Sequence, residues 1–195
     1  MVQSPSAGSA GEKTPSQIVT ALEHDEIRLL GLLALGWNNT DIAARLYIGA
    51  SRVTTLIKSC YEKIGVTSEI ALVLFYIDHV LPIDVVSGYS RPGEKLERWR
   101  QKAEQRRHEL VRSGEMPPRV AEAAMLLADP AHAGESDTIL AALMSGDNKP
   151  TPDTYREYIG RLTHALGKPG NSRRGRQRLI TIIRLAPLDS DEESL

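Results

Sequence analysis

The chain has 195 residues, 41% of them hydrophobic but only 5% aromatic, and its 24 Lys/Arg against 25 Asp/Glu leave a formal net charge of -1. That length suits one large or two small domains with real cores, and the shortage of aromatics points to an all-α protein cored by Leu, Ile, Val and Ala instead of a sandwich or barrel. The single cysteine, Cys60, excludes an internal disulfide and cannot join His24, His79, His108, His132 or His164 in a zinc site of the usual spacing.

Residues 1–19 are rich in Ser, Pro, Gly and Ala and offer Lys13 as their one cation. They carry too little apolar surface to offset their ordering entropy, so a disordered arm is expected. The same stretch has no apolar core and reads as neither signal peptide nor anchor. The longest apolar run, Ile70 to Ile77, is eight residues, short of a membrane span, so a cytoplasmic protein is expected.

Residues 20–82 carry the strongest pattern. Ile27, Leu30, Leu33 and Ala34 stripe a first helix that Gly36 can end. Asn38 and Asn39 are caps for a short second helix with Ile42, Ala43 and Leu46 inward, and a turn at Gly49 leads into a third. There Val53, Ile57, Cys60 and Ile64 recur at one face of a 3.6-residue period, widened by Leu56 and Tyr61. Ser51, Arg52, Thr55, Lys58 and Ser59 remain outside, with no acid until Glu62. A short helix, a tight turn and a longer helix with a basic, polar outer face is the pattern of a helix-turn-helix, whose second helix enters the major groove. After Val66, Thr67 is the expected cap of a fourth helix running to Pro82; it is too apolar to be left bare, so either a second copy, through residues 68–80, or the rest of the chain must cover it.

Leu29-Leu30, Gly36, Ile42-Ala43, Leu46, Val53 and the run Tyr61 to Val66 agree in order and spacing with the LuxR/GerE-type DNA-binding domain, which residues 22–81 therefore resemble. The resemblance implies a tetrahelical unit whose third helix reads DNA. Glu23 stands where that family usually caps its first helix with threonine, Gly49 replaces its cap serine, and Thr54 and Leu56 replace its common lysine and histidine. These departures imply a weaker grip on phosphate by this unit alone.

Residues 83–91 read as a loop, and 92–113 as a linker helix with Leu96, Trp99, Ala103, Leu110 and Val111 on a thin apolar stripe that lacks an apolar residue near position 107. Leu96 and Trp99 are placed to lie on the fourth helix, while Arg98, Lys102, Arg106 and Arg107 form the opposite flank. Segment 91–112 holds eight Lys/Arg against four Glu, and 168–178 holds five Lys/Arg and no acid. Charge placement, not the total, carries the signal.

A second module is expected over 117–188, with helices at Arg119–Leu127, at Thr138–Met144 behind a Ser136 or Asp137 cap, and from Thr151 to Gly167 with Arg156, Arg161 and His164 outside. Arg173, Arg174, Arg176 and Arg178 then repel one another unless a polyanion is near. Gly170 and Gly175 supply flexibility, and the β-branched run Leu179–Leu185 makes either a wing strand or a last helix. Residues 189–195 are an acidic tail.

The expected function is sequence-specific binding of double-stranded DNA by a transcriptional regulator, with repression preferred because it needs only site occupancy. Ser51, Arg52, Thr54, Thr55 and Lys58 would read bases, while Arg98, Lys102, Arg106, Arg156, Arg173, Arg174, Arg176 and Arg178 would grip the backbone. A monomer with two DNA-contacting modules is favoured over the homodimer. The alternative is a protein-binding adaptor, or an accessory factor of RNA polymerase, built on a degenerate helix-turn-helix. The layout of two small helical modules joined by a helix also resembles small immunity repressors of actinobacterial phages. No dinucleotide fingerprint, phosphate loop, GxSxG or HExxH occurs, so neither catalysis nor a cofactor is expected.

Overall fold

A computed structural model of the chain describes residues 13–83, 94–166 and 172–186. The acidic tail, the loop centred on Ser87 and the first twelve residues, all assigned above, lie outside them. Among the described residues there are ten α-helices and no strand, and no single helix is long and apolar enough to cross a membrane.

Part of the stretch expected to be a disordered arm is helical. Residues Pro15–Ala21 form α1, started by a reciprocal cap in which Thr14 accepts from the Gln17 amide and the Gln17 side chain accepts from the Thr14 amide. Val19 and Leu22 are buried. Averaging over residues 1–19 hid the small apolar face that Ile18, Val19 and Leu22 make together.

α2 (His24–Ala34) ends where Gly36 takes φ +74°, and α3 (Asn39–Leu46) starts at Asn38, whose side chain accepts from the Asp41 amide at 2.8 Å. Tyr47 closes α3 in the left-handed region, and α4 (Ala50–Ile64) follows and ends at Gly65, φ +79°. α2, α3 and α4 pack on one another around Leu29, Leu30, Leu33, Ile42, Val53, Leu56 and Cys60. The apolar periods that placed these helices in the sequence are the faces they bury.

α5 (Glu69–Phe75) is capped by Ser68, one residue beyond the expected Thr67, and continues as a π-turn over Tyr76–Val80 and a 3-10 turn over Leu81–Ile83. Its apolar surface is covered by its own chain: Leu72, Val73, Leu74, Tyr76, Ile77, Val80 and Leu81 are buried, largely against α2, α10 (Arg173–Leu185) and α6 (Glu94–Arg112). Trp99 of α6 meets the ring of Tyr76 at 5.9 Å, in line with the expected docking of the linker helix. The gap in that helix's stripe is filled by Arg107, which is buried instead of lying on the solvent flank.

α7 (Pro118–Ala128), α8 (Asp137–Leu143) and α9 (Pro152–Ala165) sit close to where the sequence puts them, with Ser136 and Thr151 as caps. The last element settles between the two open readings: Leu179–Leu185 is helical and makes no wing strand. α10 packs against α6, α7, α9, α2 and α5 and buries Leu179, Ile180, Ile182, Ile183 and Leu185. Burying each such side chain stabilises by roughly 1.5–3 kcal/mol, whereas helix propensity disfavours a β-branched residue by only about half a kcal/mol. Burial therefore decides the conformation, and the run 179–185, buried except at Arg184, lies at the centre of the fold while the arginines of the first turns face the helix ends around it. Gly175 serves this packing and not flexibility, since a Cβ there would lie 2.8 Å from Thr163 Cβ on α9. The buried residues of both expected modules join in one contiguous core.

Candidate nucleic-acid interface

α4 presents two faces. Val53, Leu56, Ile57, Cys60 and Ile64 are buried, while Ser51, Arg52, Thr54, Thr55 and Lys58 are exposed. Thr54 and Thr55 donate their hydroxyl protons to the helix carbonyls of Ala50 and Ser51, at 3.4 and 3.1 Å, which leaves oxygen lone pairs and methyl groups outward. Lys58 reaches Glu62 at 3.9 Å, a solvated pair of little strength. The Arg52 amide donates to the Gly49 carbonyl at 3.0 Å, while its guanidinium makes no hydrogen bond or ion pair among the described residues. All five residues expected to read bases thus share one accessible helix face.

A buried carboxylate holds this helix in place. Glu26 on α2 is 1% exposed and accepts from Ser59 at 2.6 Å, Lys63 at 2.8 Å and the Glu23 amide at 2.7 Å. Burial by itself would raise its pKa, but the bonds from Lys63, Ser59 and the Glu23 backbone outweigh that and hold it below the usual carboxylate range. Ser59, expected on the outer face, is spent on this lock. Beside it burial pushes the Cys60 thiol up to about 12, which suits a small core side chain and not a nucleophile.

The cations expected on the backbone divide. Lys102 is exposed, and Arg98 is exposed with Glu94 at 3.5 Å. Arg106, by contrast, pairs with Glu109 and donates to the Ala165 carbonyl at 2.7 Å, tying α6 to the end of α9. Arg156 and Arg176 converge on Asp137 at 3.0 and 2.8 Å, joining α9 and α10 to the start of α8. Arg178 donates to the Leu166 carbonyl at 3.3 Å. Arg174 donates to Glu69 at 2.9 Å, to Asn39 at 2.7 Å and to Gln177 at 2.9 Å, so α10 is clamped to α5 and α3. Arg173 also reaches Glu69 at 2.9 Å, yet stays 62% exposed.

The arginine cluster is therefore mainly a set of internal ties. Its repulsion is relieved by Glu69 and Asp137, carboxylates far away in sequence that a local charge count cannot see. Sequence reading also passed over Trp37, Arg45 and Tyr47 beside α4; an aromatic at each end of a short helix was the available signal. Among the described residues no group of His, Cys, Asp and Glu could hold a metal ion. The chain matches no known protein family, no curated protein and no solved structure.

Proposed function

We propose that the chain is a sequence-specific double-stranded DNA-binding protein, LuxR/GerE-like over its first tetrahelical unit, that regulates transcription as a repressor by occupying its site. The observation that carries this reading is the outer face of α4, where Ser51, Arg52, Thr54, Thr55 and Lys58 are exposed together on a helix whose other side is core. A helix of this width fits the major groove, and its side chains suit the edges found there: Arg52 for guanine, the threonine methyls for thymine. The buried Glu26 lock supports the same reading, because base readout needs a helix held at a fixed angle.

Of the cations expected on the backbone, Lys102 is exposed, and Arg173 keeps most of its side chain in solvent beside Glu69, so these two are offered to phosphate. A monomer acting on an asymmetric site is favoured, since α5, the surface through which a dimer would form, spends its apolar side chains inside the chain.

Selection of duplexes carrying a randomised core tests this. The wild-type chain is expected to enrich a defined sequence, and replacing Arg52 and Thr55 by Ala should lower the ratio of specific to non-specific affinity by about 1–3 kcal/mol. An unchanged ratio would overturn the assignment of α4 as the reading helix. Sedimentation of the complex reads stoichiometry, and two chains on inverted half-sites would overturn the monomer.

A further inference from the structure

At the two ends of α3, which packs on α4, lie Trp37, Arg45 and Tyr47. Arg45, in the last turn of α3, stacks on the Trp37 ring with its guanidinium carbon 3.9 Å from the centroid. Asp41 sits four residues earlier, the spacing of a helical ion pair, but accepts from the Asn38 side chain at 2.7 Å; no carboxylate among the described residues pairs with Arg45. Stacking covers the face of a guanidinium and leaves its N–H edge free, already ordered, for an anion.

Two residues on, Tyr47 is 93% exposed and is the one non-glycine residue with positive φ, +57°, among those described. An aromatic there gains nothing from packing and pays a backbone cost that Gly or Asn would avoid. Both residues border the turn that delivers the chain into α4, whose first turn carries Ser51 and Arg52.

Resting on the DNA-binding reading above, we propose that Arg45, braced on Trp37, and Tyr47 grip the sugar-phosphate strand bordering the groove that α4 enters. The guanidinium edge donates to phosphate oxygens and the phenol donates to a neighbouring one. These contacts add affinity without sequence preference, and they replace the phosphate grip lost where the chain has Thr54 and Leu56.

The test compares the selected duplex with an unrelated one over a salt series. Arg45→Ala should weaken binding to both by the same factor, about tenfold, and reduce the slope of log affinity on log salt by about 0.9. Tyr47→Phe should weaken both with the slope unchanged. Tyr47→Gly, which relieves the left-handed backbone, should melt no lower than wild type and still bind both duplexes less well, separating binding from folding. Wild-type affinity and slope in Arg45→Ala and Tyr47→Phe would overturn this inference while Arg52→Ala still reports on the reading helix. A changed ratio of specific to non-specific binding in Arg45→Ala would make it a base contact and overturn the strand assignment. Failure of the wild-type chain to enrich any duplex would end the reading itself and this inference with it.

Discussion

Gly36 and Gly65 end α2 and α4 with nearly the same backbone, φ +74° and +79°, but in different surroundings. A Cβ at Gly65 would meet nothing within 4 Å, so Gly65→Ala should cost only the left-handed penalty, about 1–2 kcal/mol. A Cβ at Gly36 would lie 2.6 Å from the Arg174 carbonyl oxygen and 3.3 Å from Arg178 Cβ. Ordinary contact begins near 3.4 Å, so α10 would have to retreat by about 0.8 Å, the difference between 3.4 and 2.6. That retreat acts on the bonds from Arg174 to Asn39 and from Thr181 to the Ala34 carbonyl, both 2.7 Å. Weakening two part-buried or buried bonds adds roughly 1–3 kcal/mol. Gly36→Ala should therefore destabilise by about 2–5 kcal/mol in urea unfolding followed by far-UV circular dichroism. At about 2–4 °C per kcal/mol for a chain of this size, its melting point should fall roughly twice as far as that of Gly65→Ala. Equal losses in the two variants would refute the close seating of α10 on the end of α2.

Three further outcomes are expected. Glu26→Gln should lower stability at neutral pH by roughly 1–3 kcal/mol. Because the folded carboxyl titrates below its unfolded value, its contribution is present above that value and lost as pH falls through the folded one, so the gap between wild type and Glu26→Gln should close below about pH 4 in a series of urea midpoints; a gap that widens in acid would contradict the lock. Cys60 should resist an aromatic disulfide reagent in the native protein and react fully in denaturant, and rapid native labelling would show that α4 is not seated on its core. Arg176→Ala should lower the urea midpoint, by roughly 1–3 kcal/mol in stability, and leave the salt slope of DNA binding untouched, whereas Lys102→Ala should do the reverse; a slope change in Arg176→Ala would return that residue to the interface.

The sequence by itself determined the local structure of most of the chain. Ile42, Ala43 and Leu46, or Val53, Ile57, Cys60 and Ile64, select a helix and its buried face through spacing alone, and Asn38, Ser136, Thr151 and Gly65 mark ends because caps act within a few residues. The exposed face of α4 was legible for the same reason: what a short amphipathic period does not bury it leaves outside. Tertiary structure decided what no window of sequence contains. The run Leu179–Leu185 is helical because five other helices surround it, and its β-branched character weighs less than that burial. Arg174 and Arg176 are ties and not free cations because Glu69 and Asp137 arrive from distant helices. Charge and propensity are properties of a residue, but whether a charge is spent or an apolar face covered depends on which helices the chain brings against it.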